Sequence, residues 1–268
     1  MGSNRLTVEA IRNVLTTTKI GSEIHVFDEI DSTNNEAKKR AMDGCADGTI
    51  LIADLQTGGR GRLANRSFVS PKGKGLLFTI VLRPKIDPTE ASKCTLLAAL
   101  AVVRAIRRVT GIDCGIKWPN DILVQGKKLV GILTEMNADM AGVNYIAMGI
   151  GINVNIPQAD FPKELQTIAT SVEAELGETI DRFTLLGAVC EELEHYYEQM
   201  LIEGFAPILV AWKQYSVTLG QTVRVIAPDE TYGGRAIDLD EDGSLLVETQ
   251  DGIRTVLAGD VSIRPQEN

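Results

Sequence analysis

The chain predicts an α+β fold: a mixed, largely antiparallel sheet with helices packed on a face, followed by a small C-terminal barrel. Three observations carry this. Strand-like segments outnumber helical ones, and short polar turns between them outnumber stretches long enough for a crossover, which argues against a doubly wound parallel sheet. The sequence changes texture after Gly220, where strand signals recur every few residues between Asp242-Gly243 and Asp251-Gly252 turns. Between two strand candidates runs a connection of about twenty residues, far longer than ordinary loops and therefore a binding segment by default. The expected division is residues 1–217 and 218–268.

In chain order, residues 6–14 have helical spacing and 24–30 read as a short strand rich in β-branched and aromatic residues. Thr33 followed by Glu36 fits a reciprocal capping box for a helix ending before Gly44. Residues 49–54 form a buried-strand candidate that enters the long connection, and 76–83 the strand that leaves it. Thr89 is a cap for a long helix through Val109, closed by Gly111. Strands at 112–118, 122–124, 129–135 and 145–155 come next, then helices at 183–203 and 207–215. Four short strands at 222–227, 232–239, 245–248 and 253–257 complete the chain.

Composition narrows the function. The 268 residues carry a formal net charge of -9 and a pI near 4.9, which excludes a broad nucleic-acid-coating surface. From Gly220 onward there are four arginines, no lysine and ten acidic residues, so that module is no nucleic-acid clamp. The longest uninterrupted apolar run, residues 96–103, is far short of a membrane span. No signal-peptide pattern opens the chain, and Met1-Gly2-Ser3 reads as an expression scar. Cys45, Cys94, Cys114 and Cys190 are scattered without metal-ligand spacing and read as buried, reduced thiols of a cytoplasmic protein.

Against this acidic background, residues 55–86 hold seven basic residues and no acidic one. Their centre is Gln56-Thr57-Gly58-Gly59-Arg60-Gly61-Arg62, followed by Arg66. Guanidinium groups give bidentate contacts to phosphate or carboxylate, and glycines let backbone N–H groups approach the same oxygens. The competing reading is a solvated flexible loop. Three further segments carry polar groups at element ends. Asp31-Ser32-Thr33-Asn34 lies at a helix start, where such residues otherwise serve only as caps. Lys117-Trp118-Pro119-Asn120-Asp121 puts a lysine at a strand end, because Pro119 holds Trp118 extended; alone, such a lysine is a surface charge. Gly149-Ile150-Gly151-Ile152-Asn153 lacks the third glycine and the helix of a dinucleotide fingerprint, and its glycines permit a close approach to the sheet. No P-loop is present, and His25 and His195 are too few for a histidine-based triad. What remains is positioning and charge neutralisation by Arg and Lys, the chemistry of attack on a phosphoryl centre with loss of pyrophosphate.

Taken in order, these motifs together with Lys128-Leu129-Val130-Gly131-Ile132-Leu133-Thr134-Glu135 resemble the biotin protein ligases over nearly the whole chain. The resemblance implies a sheet like that of class II aminoacyl-tRNA synthetases and a C-terminal SH3-like barrel. It implies an ATP-dependent, two-step enzyme with Mg2+: biotin is activated to biotinyl-5'-AMP with release of pyrophosphate, then transferred to a lysine of a biotin carboxyl carrier domain. By motif, Ser32, Thr33, Asn34 and Gln56 contact biotin. Gly59, Arg60, Gly61 and Arg62 close over its carboxylate and the phosphates as a water-excluding lid. Lys117 reaches the carboxylate and the α-phosphate, Gly131 lines the site, and Asn153 lies near the adenine. No protein metal ligand is implied, nor any nucleic acid or membrane partner, and a homodimer is left open. Two features depart from the pattern. Residues 63–68 carry one extra residue and offer Phe68 where the family has tryptophan, and only 30 residues precede Asp31, too few for the DNA-binding module of some members. The alternatives are a lipoate or octanoate ligase of the same superfamily and a biotin-responsive transcriptional regulator lacking its DNA-binding part.

Overall fold

The computed structural model describes residues 5–62, 68–227, 229–258 and 262–265. The elements are α1 (Val8–Arg12), β1 (Ile24–Phe27), α2 (Thr33–Met42), β2 (Thr49–Ala53), β3 (Gly75–Leu82), α3 (Ala91–Thr110), β4 (Gly115–Lys117), β5 (Asp121–Val124), β6 (Lys127–Asp139) and β7 (Gly142–Asn153). They continue with α4 (Val172–Leu176), α5 (Arg182–Glu203), α6 (Ala206–Lys213), β8 (Thr222–Ile226), β9 (Thr231–Leu239), β10 (Leu245–Thr249), β11 (Gly252–Val256) and β12 (Ser262–Pro265). The first seven strands form one sheet in the order β1-β2-β3-β7-β6-β5-β4, in which only β1 and β2 pair in parallel. The expected mixed, largely antiparallel sheet is therefore present. Strands β8 to β12 make a second, antiparallel sheet in the order β11-β10-β9-β8-β12, which fits a small barrel.

Alternation along the strands sorts the core into two layers. Ile50, Ile52, Ile80, Leu82, Ile146, Met148, Ile150 and Ile152 pack with α3 and α5 in the main core. The intervening Leu51, Val81, Tyr145 and Ala147 face the other way and pack with Ala37 and Ala41 of α2. Helix α2 thus lies on the face opposite α3 and α5. It packs on β2, β3 and β7, and its Asn34 and Lys38 reach Leu133 and Glu135 of β6.

Several local expectations are corrected. The N-cap of α2 is Ser32, without a side-chain capping bond, and Thr33 is the first helical residue, so the Thr33/Glu36 capping box does not form. Glu36 instead pairs with Arg40, and the Thr33 hydroxyl is drawn toward Gln56 and Thr79. Asp87, not Thr89, caps the 3-10 turn Pro88–Glu90 that leads into α3, through a capping box with Glu90. Gly111 closes α3 in the left-handed region as expected. The 112–118 strand shrinks to β4, and the strands at 129–135 and 145–155 are parts of one long hairpin, β6–β7. Helix α4 and the fifth strand of the small sheet, β12, had no clear sequence signal. Cys94, Cys114 and Cys190 are buried, and burial pushes the Cys94 thiol up to about 12 and that of Cys114 to about 11. Cys45 is only half-buried, because it follows the end of α2 in a surface turn. Among the described residues, no helix is long and apolar enough to cross a membrane.

The small sheet is stitched to the strand end that carries Lys117. Ile116 N donates to Tyr215 O and Val217 N to Ile116 O, extending the exposed edge at β4. Trp118, 2% exposed, follows with a cis bond to Pro119; its backbone N–H donates to Thr218 Oγ1 and its indole N–H to Gly243 O, each at 3.0 Å.

Candidate active site

The register of the sheet builds the site floor. In one row across the strands, Lys117 pairs with Asp121, Asp121 with Gly131, and Gly131 with Gly151. Residues opposite one another share a face, so two flat glycines lie side by side next to Asp121, with Lys117 at the far edge of the row. The next row, two residues along, pairs Leu133 with Gly149 and Gly149 with Thr79. These rows floor a cleft of about 410 Å³, a volume suited to a small molecule. Ser32, Thr33, Asn34, Gln56, Gly59, Arg60, Gly61, Arg62, Lys117, Gly131 and Asn153, all singled out from sequence, line this one cleft.

At the α2 end the polar groups are locked together. Gln56 Oε1 accepts from Thr33 N at 2.7 Å and Thr33 Oγ1 at 3.1 Å. Thr79, buried on β3, lies 2.8 Å from Thr33 Oγ1 and 2.6 Å from Asn34 Oδ1. Asn34 Nδ2 donates to Leu133 O at 3.1 Å and to Glu135 Oε2 at 2.9 Å. Gly149 makes this arrangement fit: a Cβ there would stand 2.1 Å from Asn34 Oδ1. The glycine is thus needed for a close approach, by a side chain of α2.

The glycine-arginine segment is anchored at both described ends. Thr57 N donates to Ile30 O, Gly58 N to Asp31 O, and Phe68 N to Gly59 O. Arg60 donates to Asn35 Oδ1 at 2.6 Å and lies 3.8 Å from Glu135 Oε1. Arg66 falls outside the described residues. Phe68 lies over the glycine floor, since a Cβ at Gly151 would come within 2.7 Å of its ring and one at Gly131 within 3.3 Å. Asn153 donates to Thr170 O at 3.0 Å, and its Oδ1, so oriented, has no partner among the described residues.

Sequence reasoning missed Lys38, Asn35, Thr79 and Glu135 as partners of the site. Alternation within the 129–135 motif offered one signal, because Gly131, Leu133 and Glu135 share a face. Burial opposes the charge on Glu135, but hydrogen bonds from Lys38 and Asn34, with the charges of Lys38 and Arg60, outweigh it and hold the carboxyl below its ordinary value. A carboxyl with a lowered folded-state pKa contributes stability above the ordinary value of 4.5, and that contribution fades as pH falls through the folded-state value. Urea unfolding should therefore show a stability gap between wild type and Glu135→Gln that is flat near neutral pH and narrows in acid. A gap that widens below pH 4.5 would contradict this.

Comparison with known proteins then identifies the family. A model of the Biotin/lipoate A/B protein ligase family matches residues 26–153, and one of the Biotin protein ligase C terminal domain matches residues 218–264. A bifunctional ligase/repressor of Bacillus subtilis is 40% identical over 259 residues, covering 97% of this chain and 79% of that protein. The chain belongs to the biotin protein ligase family. A biotin--[acetyl-CoA-carboxylase] ligase of Paracoccus denitrificans is 33% identical over 238 residues, covering 86% of this chain and 96% of that one. Among solved structures, the biotin protein ligase of Aquifex aeolicus in complex with biotin and ATP superposes with a TM-score of 0.79 at 30% identity, covering 91% of this chain and all of that chain.

Proposed function

We propose that the chain is an ATP-dependent biotin protein ligase that forms biotinyl-5'-AMP and transfers biotin to a lysine of a biotin carboxyl carrier domain. The observation that carries this reading is the pair of adjacent rows on one sheet face. One is a tight hydrogen-bonded pocket around Asn34 and Gly149, and the other a row in which Gly131 and Gly151 are followed by Asp121 and then Lys117. The first suits a small uncharged polar head group such as the ureido ring of biotin, contacted by Ser32, Thr33, Asn34 and Gln56. The second suits a nucleotide lying across Gly131 and Gly151, with Phe68 as its aromatic neighbour and Asn153 Oδ1 as an acceptor for the adenine amino group. Lys117, Arg60 and Arg62 meet the biotin carboxylate and the phosphates, with Gly59 and Gly61 supplying backbone room.

Mg2+ enters with the ATP phosphates in this reading; among the described residues no three His, Cys, Asp or Glu side chains group to hold a metal ion. The two parts divide at residues 217 and 218, and the protein acts in the cytoplasm. An acyl adenylate is a mixed anhydride that water destroys, so the glycine-arginine segment serves retention as well as binding. Arg62→Gly is expected to preserve the fold and to release adenylate, seen as indiscriminate lysine labelling of bystander proteins. Labelling confined to the carrier domain would refute that role. The reading as a whole is tested by pyrophosphate release with ATP, Mg2+ and biotin, with and without carrier domain. Release that requires lipoate or octanoate instead of biotin would overturn it.

A further inference from the structure

The glycine-arginine segment springs from a neck held by a helix outside the cleft. Its incoming foot is Asp54, one residue past β2, and its outgoing foot is Lys74 and Gly75, where β3 begins. Gly73 N donates to Asp54 O at 3.0 Å and closes the neck. The last ladder pair between the two strands is Ala53 with Leu77, so the ladder ends before the feet. Arg182 joins them. This first residue of α5 is 2% exposed; its Nη2 lies 2.7 Å from Asp54 Oδ1 and its Nη1 donates to Gly75 O at 3.2 Å. One guanidinium thus reaches both feet, which its planar fork permits and a point-like ammonium does not. Asn155 N donates to Lys74 O at 2.7 Å, while the Asn155 side chain donates to Ile180 O and accepts from Ile180 N. The stretch leading into α5 is therefore tied to the outgoing foot as well.

A buried ion pair is a poor way to stabilise a fold. Taking both charges out of water offsets much of their attraction, and apolar groups of similar volume often serve as well or better. The worth of this pair lies in placement. Asp54 stands two residues before Gln56, and Thr57 and Gly58 are bonded to Ile30 and Asp31 just ahead of α2, so a rotation at the foot is carried into the residues that line the cleft. We propose that Arg182 and Asp54 are positioning residues whose ion pair braces the neck and sets the direction in which Gln56, Arg60 and Arg62 leave the sheet, keeping them against biotinyl-5'-AMP. The proposal rests on the biotin-adenylating reading above. The competing role is purely structural, in which the pair only ties α5 to the sheet.

Removing one member would leave the other charge buried without its partner, which is strongly destabilising, so the decisive variant of the full chain removes both, Asp54→Val with Arg182→Met. Two quantities are read: the urea unfolding midpoint, and the rate at which labelled biotinyl-5'-AMP leaves the enzyme on dilution into unlabelled adenylate. The double variant is expected to unfold at the wild-type urea concentration but to lose adenylate about tenfold faster. That is less than the roughly hundredfold cost of displacing a reacting group by about 1 Å, because the brace acts through the backbone. Arg182→Lys keeps the charge opposite Asp54 without the fork, and should lose adenylate at an intermediate rate. Wild-type retention by a folded double variant would leave the pair a structural tie and overturn the proposal. If the double variant does not fold, Arg182→Lys decides: faster escape from a folded chain supports the brace, and wild-type escape overturns it. A wild-type chain that neither holds biotinyl-5'-AMP nor releases pyrophosphate from ATP and biotin would refute the adenylation reading and this proposal with it, whereas equal retention by wild type and variants would refute this proposal alone.

Discussion

Lys117→Ala is expected to reduce pyrophosphate release by about 10²- to 10³-fold while biotin still binds, the largest effect of any single substitution in the cleft. The site separates the two measurements. The groups assigned to the biotin head, Thr33, Asn34 and Gln56, are fixed by each other and by Thr79, Leu133 and Glu135, none of which involves Lys117. Lys117 stands at the far edge of the neighbouring row, where its charge matters only once negative charge is concentrated at the α-phosphate. Its position comes from outside the large sheet, through the bonds of Trp118 to Thr218 and Gly243 and of Ile116 to Tyr215. A misplacement of about 1 Å costs a reacting system roughly a hundredfold, so this link makes the small sheet part of the catalytic geometry. Isothermal titration with biotin and a continuous pyrophosphate assay on the same preparation check the prediction. Near-normal release would remove Lys117 from the reaction.

Much of this was legible in the sequence because it follows from short-range rules. The glycines at 149 and 151 marked a strand open to close approach, the helix stop at Gly111 needed only a glycine, and the arginine-glycine segment declared itself by charge against an acidic chain. What was not legible depends on contacts between distant segments. The choice of Ser32 over Thr33 as N-cap is made by Gln56 and Thr79, which draw the Thr33 hydroxyl away from the helix end. Glu135 reads as the last residue of an apolar strand until Lys38 and Asn34 arrive from α2. Lys128 stood only as the first residue of a motif until the shifted register of β5 and β6 set it 2.6 Å from Asp121. Gly149 suggested a close approach, but which group approached could not be known before α2 was packed.

That approach makes Gly149→Ala the second large effect. The added methyl would stand 2.1 Å from Asn34 Oδ1 and 2.8 Å from its Cγ, closer than real Cβ atoms come. Asn34 has nowhere to retreat, being buried and held by Thr79, Leu133 O and Glu135. Moving it breaks buried hydrogen bonds at about 1–3 kcal/mol each, so biotin affinity is expected to fall by about 3 kcal/mol, roughly a hundredfold. Gly151→Ala is the informative contrast. Its methyl meets Phe68, 2.7 Å away, and an aromatic ring on a loop can swing aside where a locked asparagine cannot. Gly151→Ala should therefore keep biotin affinity and weaken ATP, whereas Gly149→Ala should lose biotin first. Titration of both variants with each ligand separates the cases. Equal loss of both ligands in both variants would mean that the two rows do not divide the site, and that the head group does not lie against Asn34.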